Sequence, residues 1–221
     1  MCGRFVGYRQ LDELKEFFPI DRANCDVTAN FNVAPTQEIL AIYNHEGENW
    51  LDKFHWGLVP FWAKDPSIGS RMINARAETV AEKPSFKNAL KKRRCLIIAD
   101  GFYEWQQTGR GPKQPWFIHA EGGGPFLMAA LWEHWDKGET PLETCTLLTT
   151  EAAGAMNAIH HRMPVILAAD YLRPWLDAEG PEDAVAVLER NPATALAMRR
   201  ISRAVNSPTH EGPDLIEPAG E

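Results

Sequence analysis

Apolar residues recur along the chain with two periods, and the shorter one dominates. "EILAIYN" (38–44), "WLDKFHW" (50–56), "RCLIIAD" (94–100), "QPWFIHA" (114–120), "PFLMAAL" (125–131), "CTLLTT" (145–150) and "MPVILA" (163–168) are short and rich in branched and aromatic residues. Stretches of that length and composition predict β-strands. "RQLDELKEFF" instead sets Leu11, Leu14 and Phe17/Phe18 at helical spacing, which predicts an amphipathic helix. Helices also fit 75–80, 151–157, 170–177 and 181–189. Pro174 sits awkwardly in the middle of the third, whereas Pro181 lies near the first turn of the fourth, where proline is tolerated. "NHEGEN", "QQTGRGPKQ" and "AEGGGP" read as hairpin turns. Strands outnumber helices and do not alternate regularly with them. The pattern therefore points to an α+β fold with a curved, mostly antiparallel sheet. There is no internal repeat and no long linker. From about Pro208 the chain turns acidic and proline-bearing, as expected of a tail at the surface.

A length of 221 residues suits one large domain with a sizeable core. Cys2, Cys25, Cys95 and Cys145 are far apart and form no C-x-x-C pair, so neither a disulfide framework nor a zinc site is expected. Three of them read as small buried hydrophobes. No apolar run approaches the roughly 18 residues of a membrane span. Gly3, Arg4 and Gly7 interrupt any signal-peptide pattern, and a cytoplasmic protein is expected. The net charge of −7 argues against a protein that coats nucleic acid non-specifically. It leaves room for a local groove lined by arginines.

Several segments carry polar or reactive residues where the pattern predicts tight structure. In "MCGRF", Cys2 is small enough for the initiator methionine to be removed, which leaves a cysteine with a free α-amine. In "INARAET", Asn74, Arg76 and Glu78 follow apolar Met72-Ile73 and open the short helix; a helix cap with solvated charges is the plainer reading. In "IIADGFYEWQQ", Glu104 lies between Tyr103 and Trp105. Aromatic flanks desolvate a carboxylate and suit it to proton transfer, although an outward-facing strand position also fits. In "NAIHHRMPVIL", His160 and His161 precede a buried-looking strand, and imidazole is the side chain best matched to proton transfer near neutral pH. No H-E-x-x-H motif is present, and neither metal nor cofactor is indicated. In "HWGLVPFWAKD", Phe61 and Trp62 follow a proline in what reads as a loop, either as core anchors or as stacking platforms for unpaired bases.

Taken in order, "MCGRF", "NVAPT", "WGLVPFW", "INARAET", "ADGFYEW", "IHHRMPVIL" and "SRAVN" resemble the SRAP family, the SOS-response-associated peptidases understood as abasic-site processing proteins. The resemblance runs from Cys2 to about Pro218. It implies a single SRAP domain over 1–207 with a barrel-like sheet flanked by short helices, followed by a tail over 208–221. It implies a monomer that binds single-stranded DNA containing an abasic site and becomes nucleoid-associated when bound. Carried over by motif, Cys2 is the nucleophile, and Asn74, Glu104 and His160 complete the site. Arg4, Arg71, Arg76 and Arg162 then face DNA phosphates, and Pro35, Phe61 and Trp62 stack on bases or wedge between them.

The chemistry explains the second-position cysteine. An abasic site equilibrates with a ring-opened aldehyde, which a neutral amine traps as a Schiff base. An α-amine has a pKa of ~7.7–8.0 against ~10.4 for lysine, so it is neutral far more often at pH 7. The neighbouring thiol can then add to the imine carbon and close a five-membered thiazolidine. An internal cysteine cannot do this, because its nitrogen is locked in an amide. Arginines beside the aldehyde bind phosphate without competing as nucleophiles. A Schiff base also permits strand cleavage by β-elimination. Rival readings are an N-terminal-nucleophile hydrolase of the glutamine amidotransferase kind, a thiol peptidase pairing Cys2 with His160, and a non-covalent single-strand-binding module.

Overall fold

The computed structural model describes residues 2–220. Its strands are β1 (Phe5–Gly7), β2 (Arg22–Ala23), β3 (Asn30–Val33), β4 (Glu38–His45), β5 (Glu48–Trp56), β6 (Asn74–Arg76) and β7 (Arg94–Ala99). They continue with β8 (Gly101–Gln106), β9 (Gln114–Ala120), β10 (Phe126–Trp135), β11 (Leu142–Glu151), β12 (Arg162–Pro164), β13 (Ile166–Leu167) and β14 (Leu196–Arg200). Four short helices, α1 (Leu11–Phe17), α2 (Lys87–Lys92), α3 (Leu172–Leu176) and α4 (Pro181–Arg190), lie between them.

One sheet runs β14-β9-β8-β1-β3, and the other runs β12-β11-β10-β7-β4-β5-β2 with β13 on β10 and β6 on β11. A short parallel pairing of β11 with β5, Cys145 opposite Trp56, closes the second sheet into a ring through β5, β4, β7, β10 and β11. The other four neighbours in that ring are antiparallel. An odd number of strands cannot close with antiparallel pairs alone, so one parallel contact is forced. The fold is thus α+β with a barrel-like, mostly antiparallel sheet, as its strand-rich pattern implies.

β7 and most of β10 and β11 are buried on both faces, which is why they read as near-continuous apolar runs. Along β7, Cys95, Ile97 and Ala99 face a core shared with Phe5, Phe102 and Ile118 of the other sheet. Leu96 and Ile98 face a second core with Leu14, Leu90, Leu172, Trp175 and Ala184 of the helices. Trp175 is fully buried, and its indole N–H donates to the Cys95 carbonyl at 2.9 Å. Replacing Trp175 with alanine empties that space and orphans the carbonyl. The expected loss is about 3–5 kcal/mol, read by denaturant unfolding.

The turn in "NHEGEN" is a two-residue hairpin loop. Glu46 and Gly47 both have positive φ, 52° and 86°, between the paired His45 and Glu48. That geometry matches the twist of the flanking strands. The helix expected over 170–177 divides into a 3-10 turn at Ala169–Tyr171 and α3, and Pro174 falls within the first turn of α3, whose N–H groups lack helical acceptors. Two other expected helices are corrected. Residues 75–80 form β6 and a 3-10 turn at Ala77–Thr79, because Asn74, Ala75 and Arg76 pair with Leu147, Leu148 and Thr149 of β11. Over 151–157, β11 continues to Glu151 and a 3-10 turn occupies Gly154–Ala158. In the first place a ladder to a distant strand overrides local helical preference. In the second, β12 takes Glu151 into its ladder and leaves too few residues before His160 for more than a 3-10 turn.

The C-terminal segment is anchored. Leu215 is fully buried, Pro218 bridges Ile201, and the buried Asn32 amide donates to the carbonyls of Ser207 and His210, each at 2.9 Å. Among the described residues, no helix is long and apolar enough to cross a membrane.

Candidate functional site

Cys2 enters the structure along β1. Phe5 pairs with Phe102 of β8, and the Tyr103 N–H donates to the Arg4 carbonyl at 2.9 Å. Extending that register brings Cys2-Gly3 alongside Glu104. Gly101 permits this arrangement: a Cβ there would collide with the Phe117 ring and sit 2.7 Å from the Ile118 carbonyl oxygen. Only glycine lets β8 lie this close to β9.

Glu104 is 3% exposed, so the outward-facing alternative is wrong: the strand turns this carboxylate inward. Its charge acts on two neighbours. Burial raises the Cys2 thiol well above its ordinary range, and the Glu104 carboxylate raises it further. Burial lowers the half-buried His160, and the same carboxylate opposes that fall. Asn74 completes the cluster from the other sheet, with its Nδ2 donating to the Cys2 carbonyl at 2.8 Å. Its Oδ1 is buried and has no hydrogen-bond partner among the described residues. Asn74 therefore sits in strand β6 and is not the helix cap its local sequence suggests.

His160 follows the 3-10 turn at Gly154–Ala158, and its N–H donates to the Met156 carbonyl at 2.9 Å. The Gln106 amide holds that turn to β8 by donating to the Ala158 carbonyl at 2.7 Å. The His160 Nδ1 lies 3.0 Å from the Arg162 amide nitrogen and 3.1 Å from its carbonyl oxygen. One backbone unit thus accommodates either tautomer of the ring: the N–H donates to an unprotonated Nδ1, and a protonated Nδ1 donates to the C=O. His161 stacks on the His160 ring with centroids 4.4 Å apart. Among the described residues, no group of three or more His, Cys, Asp or Glu is placed to hold a metal ion.

The arginines divide. Arg71 and Arg76 are exposed, at the end of the 3-10 turn Pro66–Arg71 and at the end of β6. Arg4 is half-buried and donates to Asn32 Oδ1 at 2.6 Å and to the Val205 carbonyl at 2.9 Å. Arg162 departs from the expectation that it faces phosphate. It is buried, pairs with both Glu78 oxygens at 2.8 and 2.9 Å, and donates to the Thr149 carbonyl at 2.6 Å. A buried guanidinium needs a fixed counter-charge, and Glu78 supplies it.

Phe61 and Trp62 are 47% and 44% exposed, which removes the core-anchor reading for both. Pro35 is half-buried just after β3. The roles of Glu78, Asn32 and Gln106 escaped the sequence. Each acts on a partner more than 50 positions away, so no local spacing marks them; only the presence of Glu78 within "INARAET" gave a hint.

The sequence model of the family described as SOS response associated peptidase (SRAP) matches residues 1–208. The abasic site processing protein YoqW of Bacillus subtilis is 42% identical over 222 residues, covering 98% of this chain and 99% of that protein. The abasic site processing protein YoaM of the same organism is also 42% identical, covering 98% of each chain. A crystal structure of a Bacteroides thetaiotaomicron protein superposes with a TM-score of 0.83 at 23% identity, covering 99% of this chain and all of that one, which is a likeness of fold.

Proposed function

Since the chain belongs to the SOS response associated peptidase family, we propose that it processes abasic sites in single-stranded DNA by linking its N-terminal cysteine covalently to the lesion. The observation that carries this reading is the convergence of Asn74 and Glu104 on Cys2, with His160 beside the same carboxylate. Asn74 holds its carbonyl, and the charge of buried Glu104 reaches both its thiol and the His160 ring. Relatives named abasic site processing proteins support the substrate.

The reaction requires removal of Met1, which lies outside the described residues. His160 gives its Nε2 proton to the sugar ring oxygen as the C1′–O4′ bond breaks, and the C1′ hydroxyl proton returns through solvent to the imidazole as the aldehyde forms. The Cys2 amine adds to C1′, and the carbinolamine expels water to form the imine. The thiol then adds to the imine carbon. Sulfur's proton passes by way of Glu104 to the nitrogen, and the thiazolidine closes with nothing further released. Asn74 orients the amine, with Oδ1 as the acceptor for its N–H.

A thiol peptidase is the poorer reading. It needs a thiolate at neutral pH, and here burial and the Glu104 charge both hold the thiol protonated. The test uses protein confirmed by mass to begin at Cys2, incubated with single-stranded DNA bearing one abasic site. A band that survives a denaturing gel without borohydride is expected, with an intact mass equal to the sum of the two molecules less one water. Its absence sinks the proposal.

The exposed Arg71 and Arg76, together with Phe61 and Trp62, form the proposed strand path. Each phosphate contact contributes about 0.7 to the slope of log affinity against log salt on single strands. The double variant Arg71→Ala/Arg76→Ala is therefore expected to flatten that slope by about 1.4 in fluorescence anisotropy. An unchanged slope would remove both arginines from the path.

A further inference from the structure

Glu78 and Arg162 straddle a strand. β6 and β12 lie on opposite edges of β11: Thr149 pairs with Arg76 on one side, and Glu151 pairs with Arg162 on the other. Glu78 follows β6 in the turn Ala77–Thr79, and Arg162 opens β12. Their bidentate ion pair therefore crosses β11 and ties its two flanking segments together. Asn74 stands on one of those segments, and His160 lies two residues before the other. The Thr149 carbonyl between them accepts from the same guanidinium, so the clamp is fixed to β11 at its middle as well as its ends.

The Arg162 backbone also lies against His160 Nδ1, its nitrogen at 3.0 Å and its carbonyl oxygen at 3.1 Å. One residue thus carries a side chain gripped by Glu78 and a backbone that grips the catalytic imidazole. We propose that Glu78 is a positioning residue: through Arg162 it fixes the orientation of the His160 ring and the separation of His160 from Asn74. This rests on the reading of His160 as the group that transfers a proton.

The alternative is that Arg162 exchanges Glu78 for a DNA phosphate. The resting geometry favours the clamp, because the guanidinium is buried and already bonded to Glu78 and Thr149. Glu104 and His161 are among the groups whose charge acts on His160, and the Arg162 backbone hydrogen-bonds to it. The Arg162 side chain bonds to Glu78 so fully that Glu78 is held below the usual carboxylate range.

Two variants, Glu78→Ala and Glu78→Gln, would be read in two independent ways. One is the nitrogen NMR signals of His160 across pH in the DNA-free protein, and the other is the single-turnover rate on saturating abasic single-stranded DNA. For Glu78→Ala, the His160 signals are expected to shift and broaden and to titrate at a different pH, and the rate to fall about tenfold to a hundredfold. Glu78→Gln keeps one polar contact to the guanidinium and is expected to fold normally and recover most of the rate.

His160 signals and titration unchanged in Glu78→Ala would overturn the proposal, whatever the rate does. So would tighter DNA binding with unchanged signals, which would make Arg162 a phosphate ligand that Glu78 restrains. A fully active His160→Ala would sink the proton-transfer reading instead, and the NMR titration would still report on the clamp.

Discussion

With Cys2 replaced by serine or alanine, the protein is expected to lose the adduct that survives denaturation and to keep one that borohydride traps. Either variant, once Met1 is removed, still presents an α-amine of pKa ~7.7–8.0, so the Schiff base forms. Neither supplies sulfur to close the ring. Alanine leaves the imine open to hydrolysis, and serine gives at best a labile oxygen ring. The gel compares three proteins with and without borohydride, and intact mass assigns each band. A denaturation-stable adduct from Cys2→Ala would place the linkage on another residue. Loss of the trapped adduct as well would show that the fold, or methionine removal, had been disturbed. Cys2 is fully buried, so each variant should be checked by its thermal melt.

Glu104→Gln is expected to slow adduct formation by about a hundredfold to ten-thousandfold, the usual worth of a positioned proton-transfer group. Glutamine keeps the volume and the hydrogen-bonding capacity and removes only the charge and basicity. The pH profile carries a second signature. With rising pH the amine loses its proton up to ~7.7–8.0 and becomes reactive. His160, lowered by burial, loses the proton it must donate at a pH below its ordinary ~6.5. The wild-type rate should therefore climb in acid, run level between those two values, and decline above the amine pKa. The Glu104 carboxylate holds His160 up against burial, so removing its charge lowers His160 further and extends the level region towards acid. A profile whose acid edge stays in place in Glu104→Gln would mean that the two groups do not interact during the reaction.

Much of the framework was legible because a buried strand writes itself into composition. "RCLIIAD" and "PFLMAAL" read as strands, and β7 and β10 lie there with both faces covered. α1 and α4 follow from their apolar spacing and from Pro181 at the first position of α4. The short strands β1, β2, β3, β6, β12 and β14 are too brief to show any period. "INARAET" was misread for that reason: its helical preference is weak, and the ladder to β11 decides its conformation.

The site divides along the same line. The order of motifs placed Cys2, Asn74, Glu104 and His160 on one list, and the α-amine chemistry of a second-position cysteine follows from covalent structure alone. Nothing in the chain says which arginines are free. Arg71 and Arg162 look equivalent in sequence, yet one is exposed and the other is buried on Glu78, 84 positions away. The sequence by itself determined the strand-rich architecture and the reactive terminus, because side-chain period and covalent chemistry are local properties. Only the tertiary structure decided which charges are spent inside the protein and which face outward, because burial and ion pairing depend on segments that meet after the barrel has closed.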